Sequence, residues 1–199
     1  MKTILLMRHS IPEKSSKFVT DPGLSPAGIQ RAKEIFGDSL FADVSQVWAS
    51  PSRRAFQTAE LLGRPVKTDS RLLERKTGDT TGQDISFWKR QYENPDFKNP
   101  DGESFREVNS RMSACIRDIL SNLPDGETAL VVSHAAAICA YLQSFCAVEI
   151  TNVEQKLRRV SFQGKVLLDG KLEPGMGFVL LVNSDGIYDV ELLPVNSEI

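Results

Sequence analysis

The sequence has only two histidines and three cysteines, and Cys115, Cys139 and Cys146 show no metal-ligand spacing. That excludes a disulfide framework and leaves little for a zinc centre. The cysteines read as small core residues, with Cys139 and Cys146 on one helix, in a reducing, cytoplasmic setting. A long apolar run is also missing. The opening MKTILLMRHS is too short for a membrane span or signal peptide and is interrupted by Arg8 and His9, so it predicts a first strand. Nor is there an excess of one charge: 24 basic against 26 acidic side chains give a net charge of -2, which offers no broad attraction to nucleic acid or an anionic membrane. No internal repeat or low-complexity linker divides the chain. What remains is 199 residues with 41% apolar content, enough to bury a full core in one domain spanning 1–199.

Apolar β-rich runs alternate with amphipathic stretches, which predicts an α/β fold. Strands are expected at Thr3 to Met7, Val44 to Ala49 and Thr128 to Val132. A helix from Ser25 to Leu40 begins with Ser25 as N-cap and Pro26 in its first turn, and carries Ile29, Ala32, Phe36 and Leu40 on one face. A second helix, Pro51 to Leu62, has the same start signal in Ser50 and Pro51, with Arg54 in its first turn. Apolar positions recur at helical spacing from Glu103 to Leu123, and another helix follows His134. Beyond Thr151, KLRRVSF and KVLLDGKL predict short strands, and MGFVLLVN with IYDVELL a closing hairpin. The basic cluster Lys156, Arg158, Arg159 and Lys165 is expected on an exposed strand edge. Residues 83–102, polar and aromatic-bearing, read as an excursion from the core.

Each histidine follows directly on an apolar strand, TILLMRHS and TALVVSHA. Ligands in open α/β sheets bind beyond the carboxyl ends of the strands, so the two are candidates to face one pocket. A lone strand-end histidine is more often a hydrogen-bonded structural residue. The pair, with Arg8 beside His9 and with Arg53 and Arg54 at a helix start, reverses that balance. Guanidinium forks and helix-end N–H groups suit a tetrahedral oxyanion, and phosphate is the natural guest.

The run LLMRHS resembles the R-H-G signature of the histidine phosphatase (phosphoglycerate-mutase-like) superfamily, and ASPSRRAFQTAE resembles its S-P-x-x-R-A-x-x-T-A helix start. LLERKTGDTTG, DGESFREVNSR and VVSHAA resemble three further motifs of that family in the same order. Three positions depart from the pattern: Ser10 and Ala135 replace the glycines that follow the two histidines, and Ser15 replaces an asparagine. The resemblance implies a three-layer α/β/α sandwich with a mostly parallel central sheet. It also implies catalytic roles for His9, Glu74 and His134, and phosphate-binding positions at Arg8, Arg54, Ser15 and Ala135. By itself Glu74, beside Arg75 and Lys76, reads as a solvated loop carboxylate; Gly78 and Gly82 permit the tight loop that could aim it inward.

His9 would then attack phosphorus, Arg8, Arg54 and His134 would hold the phosphoryl oxygens, and Glu74 would protonate the leaving oxygen. No metal or cofactor is expected, and the partner is a small phosphorylated substrate. Trp88, Lys89, Arg90 and Tyr92 are the candidates for substrate recognition, weighed against a solvated helix with one buried aromatic. Glu103 and Ser104 read as helix-start capping groups and Arg111 as a partner or surface residue. A metal-independent phosphatase is favoured over a mutase because no basic or helical lid follows VELLPVNSEI. A regulatory phospho-ligand module is disfavoured because both histidines, Arg8, Arg54 and Glu74 are retained.

Overall fold

The structure is a computed structural model that describes residues 1–14 and 20–193. Nine strands and five helices are found among them. They are β1 (Lys2–Arg8), α1 (Pro26–Phe36), β2 (Val44–Ala49), α2 (Arg53–Glu60), β3 (Val66–Thr68), α3 (Ile85–Glu93), α4 (Phe105–Asn122), β4 (Thr128–Ser133), α5 (Ala135–Leu142), β5 (Ala147–Asn152), β6 (Leu157–Phe162), β7 (Lys165–Gly170), β8 (Gly177–Asn183) and β9 (Gly186–Leu192). The main sheet runs β3-β2-β4-β1-β8-β9. Its first four strands are parallel, and the β8–β9 hairpin adds antiparallel strands against β1, as the closing hairpin in the sequence implied.

Alternation along the central strands builds the layers. Ile4 and Leu6 of β1 and Ala129 and Val131 of β4 pack with Met112, Ile116 and Ile119 of α4 and Ile138 of α5. Leu5 and Met7, with Leu130 and Val132, point the other way into a core with Ile35 of α1 and Ala55 and Ala59 of α2. Because successive strand side chains face opposite sides, a strand with helices on both faces must be apolar at consecutive positions, as Ile4 to Met7 of β1 and Ala129 to Val132 of β4 are. This is the three-layer α/β/α arrangement with a mostly parallel centre.

Several boundaries differ from the sequence reading. Helix α1 ends at Phe36, not Leu40, and Ser39–Phe41 forms a separate 3-10 turn capped by Asp38. Its buried stripe is Gly28, Ala32 and Ile35, while Ile29 is exposed. A Cβ on Gly28 would lie 2.0 Å from the Ile11 carbonyl oxygen, so the helix rests its glycine directly on the backbone after β1, and that contact turns Ile29 outward. Helix α2 starts at Arg53, with Ser52 rather than Ser50 at the N-cap position. Cys146 lies beyond the end of α5, although all three cysteines are buried and free.

The basic cluster needs a larger correction. Strands β5, β6 and β7 form a separate antiparallel sheet in which β6 is central, not an edge. Its alternation turns Arg158 inward along with Val160 and Phe162, which join the α4/α5 core. Arg159 takes the outer face and pairs with Asp169.

Candidate active site

Parallel pairing brings the site together. In register, Arg8 of β1 stands opposite Ser133 of β4, and Ala49 of β2 stands opposite Val132. The next residues, His9, Ser50 and His134, therefore leave the sheet at one edge. His9 N–H donates to the Ser133 carbonyl at 2.9 Å and Ser50 N–H to the Val132 carbonyl at 2.9 Å, extending the ladder one step past the strands. The His9 and His134 ring centroids are 5.2 Å apart, edge to face. Both rings are buried.

Hydrogen bonds fix the tautomers. Arg54 donates from Nε to His9 Nε2 at 3.1 Å and from Nη2 to His134 Nδ1 at 3.2 Å. A guanidinium can only donate, so both of those imidazole nitrogens carry lone pairs. The proton of His9 is on Nδ1, 2.7 Å from the Ser10 carbonyl oxygen. The proton of His134 is on Nε2, shared with Ser50 Oγ at 2.9 Å and Ser52 Oγ at 3.2 Å. Burial, opposed by the Ser10 carbonyl and reinforced by Arg54 and Arg8, lowers the His9 pKa to about 4. Burial first, then His9 and the arginines, lowers His134 to about 2. Both rings are neutral at ordinary pH, and His9 presents an unprotonated Nε2.

The arginines are anchored from behind. Arg54 also pairs with Asp21 at 3.4 Å, and the same carboxylate accepts the Arg53 backbone N–H at 2.9 Å, which occupies the α2 N-terminus. Arg53 itself is exposed and brings no guanidinium to the site. Ser52 leaves its capping role unfilled because its hydroxyl is turned toward His134 and Ser50. Arg8 donates through Nη1 to the Leu172 carbonyl, while its buried Nε has no partner among the described residues. Burial lowers the Arg8 pKa, with Arg158 and Arg54 adding to that and Glu173 and Glu74 opposing it.

Ser10 does not enter the site. Its hydroxyl donates to the Gly28 carbonyl at 2.8 Å and its N–H to Thr58 Oγ1 at 3.0 Å, so the side chain is spent on joining β1 to α1 and α2. Ala135, the first residue of α5, lines the cavity beside the site. Ser15 lies outside the described residues.

Glu74 is held at the N-terminus of α5. Its carboxylate accepts the N–H groups of Arg75 at 2.8 Å, Ala137 at 3.0 Å and Ala136 at 3.3 Å, the partial positive end of that helix. The loop carrying it is clamped by Glu103 and Arg111, for which the sequence predicts a capping group and a partner or surface residue. Glu103 binds Arg111 through both oxygens and accepts the Lys76 N–H at 2.9 Å, and Arg111 also donates to the carbonyls of Arg71, Leu73 and Glu74. Ser104 and Glu107, instead, form the capping box of α4. Gly78 is required by close approach as well as by its φ of 71°, since a Cβ there would meet the Pro100 carbonyl oxygen at 2.4 Å. Ser50, Ser52, Thr58 and Asp21 were missed because nothing in their spacing separates them from ordinary turn and cap residues.

A cavity of about 470 Å³ adjoins these groups, lined in part by Arg8, Glu74, Ala135, Trp88 and Tyr92. Trp88 and Tyr92 share a face of α3 at i and i+4. Lys89 and Arg90 do not line it: Lys89 pairs with Glu93 at 3.6 Å and Arg90 lies 5.2 Å over the Phe97 ring. The same helical period that brings 88 and 92 inward turns 89 and 90 away.

A family model described as the histidine phosphatase superfamily (branch 1) matches residues 4–161, from the start of β1 to β6. The chain belongs to this superfamily. Among curated relatives, the probable phosphoglycerate mutase GpmB of Cronobacter sakazakii is 30% identical over 155 residues, covering 69% of this chain and 72% of that protein. The human 6-phosphofructo-2-kinase/fructose-2,6-bisphosphatase 4 is 31% identical over 158 residues, which cover 72% of this chain but 33% of that longer protein. In fold, this histidine phosphatase chain resembles a phosphoserine phosphatase mutant from Entamoeba histolytica solved with phosphoserine, with a TM-score of 0.68 at 19% identity, covering 99% and 98% of the two chains. Among the described residues of this superfamily member, no helix is long and apolar enough to cross a membrane, and no group of three or more His, Cys, Asp or Glu side chains is placed to hold a metal ion.

Proposed function

We propose that the protein is a phosphatase that hydrolyses small phosphomonoesters through a phosphohistidine on His9, without a metal. The observation that carries this reading is the His9 tautomer: Nδ1–H is committed to the Ser10 carbonyl, leaving the Nε2 lone pair directed at the Arg54 guanidinium, where a phosphoryl group would be held. A bound phosphate takes over the Arg54 donors. Nε2 attacks phosphorus, the N–P bond forms as the P–O bond to the leaving group breaks, and Glu74 supplies the proton to the departing oxygen. Water then attacks the phosphohistidine, Glu74 takes its proton, and phosphate leaves His9 as it began. Arg8, Arg54 and His134 stabilise the charge on the equatorial oxygens.

Hydrolysis is favoured over mutase chemistry because the cavity of about 470 Å³ that Glu74 lines leaves room for an attacking water beside the carboxylate that would take its proton. A mutase must shield the same phosphohistidine until its intermediate reorients. The names of its relatives include both activities, so the test measures both. With chelator present, purified protein should release phosphate from p-nitrophenyl phosphate and a phosphomonoester panel. Given 3-phosphoglycerate and catalytic 2,3-bisphosphoglycerate, it should release phosphate faster than it forms 2-phosphoglycerate. Acid-labile, base-stable label should appear on His9, and His9→Ala should lower turnover by several orders of magnitude. Faster isomerisation would make it a mutase; label on serine would replace the nucleophile.

A further inference from the structure

The cavity beside the reaction centre carries more positive charge than one phosphoryl group requires. Arg75 and Arg158 are 8% and 6% exposed, and both line it. Neither makes a salt bridge among the described residues. Arg158 donates from Nη1 to the Cys139 sulfur at 2.8 Å and from Nη2 to the Lys156 carbonyl at 3.5 Å, and its Nε has no partner. The thiol brings no counter-charge, because burial pushes its pKa up and keeps it neutral. Arg75 donates from Nε to the Glu103 carbonyl at 3.0 Å and stacks 4.5 Å over the Phe105 ring, but its buried Nη2 has no partner. Lys156 and the loosely paired Lys171 complete the rim, the latter 3.9 Å from Glu173. Against Arg8 and these four cations the cavity wall offers, among the described residues, one carboxylate, Glu74, and its oxygens already accept three backbone N–H groups.

A buried cation without a counter-ion is costly, and a donor with no acceptor adds to that cost. The arrangement is accounted for if an anion arrives with the substrate. Arg8 and Arg54, with His134, already suffice for the transferred phosphoryl group, and Trp88, Tyr92 and Phe105 add apolar surface to the cavity wall. The volume of about 470 Å³ is that of a site for a small organic molecule, not for phosphate alone.

We propose that Arg75 and Arg158, with Lys156 and Lys171 at the rim, form a second anion subsite, so that the preferred substrate is a phosphomonoester carrying a second negatively charged group, a carboxylate or another phosphate. This rests on His9 being the phosphoryl acceptor. Arg158 reaches the site from β6, outside the family motifs of the sequence, and is there only because the small sheet packs its inner face on α5.

The test uses a homologous series of linear alkyl phosphates ending in methyl, carboxylate or phosphate. Wild type should prefer an anionic terminus at one chain length by roughly 10- to 100-fold in kcat/KM, the size of a charge-assisted hydrogen bond. Which anion wins separates the two sources. Arg158→Gln should remove most of that preference through KM, and Arg158→Lys should restore part of it. Lys156→Gln and Lys171→Gln, at exposed positions that do not threaten folding, should each reduce it in the same direction. The subsite is refuted if no chain length shows a preference, or if the preference survives all these substitutions. Should none of the esters turn over, the phosphatase reading fails by itself, and calorimetric binding of the same series still decides the subsite.

Discussion

Arg54 Nε donates to His9 Nε2 at 3.1 Å, so the guanidinium that would grip a phosphoryl group holds the nitrogen proposed as nucleophile. One side chain sets the tautomer of His9, touches His134 and is itself steadied by Asp21.

Replacing Arg54 with Gln should therefore do two things at once. It should lower kcat/KM by roughly 10²- to 10³-fold, the usual cost of losing a donor to developing charge. It should also raise the His9 pKa from about 4, but only part of the way to 6.5, because burial is the larger cause and remains. Imidazole NMR titration of the variant reads the second effect; an unchanged His9 pKa would show that Arg54 exerts no field there.

Glu74→Gln should slow esters of alcohols far more than p-nitrophenyl phosphate, since a stable phenolate leaves without a proton. The amide oxygen can still accept the Arg75 and Ala137 N–H groups that Oε1 serves, and only the weaker Ala136 contact at Oε2 is lost, so the loop should stay in place. Equal losses on both substrates would remove Glu74 from the acid role.

His134 presents a lone pair at Nδ1 and commits its proton to Ser50. To donate to an oxyanion from Nδ1 it must either gain a proton, which a dianion beside it favours, or switch tautomer while the Ser50 hydroxyl turns to donate to Nε2. Sulfate, which does not titrate near neutrality, should bind with net uptake of a proton at pH 7. Calorimetry in buffers of different ionisation enthalpy measures this, and sulfate binding with no proton exchange would mean that His134 stays neutral, overturning its protonation by the bound dianion.

Both histidines titrate lower in the folded protein than their ordinary 6.5, at about 4 and about 2. The unfolded chain thus binds more protons below about pH 6.5, and stability must fall as pH drops through that window and hold steady above it. Each buried ring contributes up to about 1.4 kcal/mol per pH unit. Denaturant melts at pH 7 and about 5 should show the loss before most carboxylates protonate. Equal stability at both would contradict the burial of neutral rings.

The sequence by itself determined the α/β alternation and the placement of the two histidines, and the resemblance of its motifs implied the parallel centre. Short uninterrupted apolar runs at β1 and β4 fit strands covered on both faces, and a residue directly after such a strand emerges at the carboxyl edge. His9, His134 and the Arg54 helix start follow from local pattern, as does the β8–β9 hairpin. What local pattern could not supply is direction relative to distant chain. Glu103 and Arg111 clamp the Glu74 loop, Asp21 steadies Arg54, and Ser52 turns from its helix toward His134, all through contacts across tens of residues. Arg158 is the clearest case: its alternation with Arg159 was visible, yet only the packing of the small sheet on α5 decided which of the two arginines faces the cavity and which faces solvent. Strand period fixes that neighbours diverge, and tertiary burial fixes which one goes in.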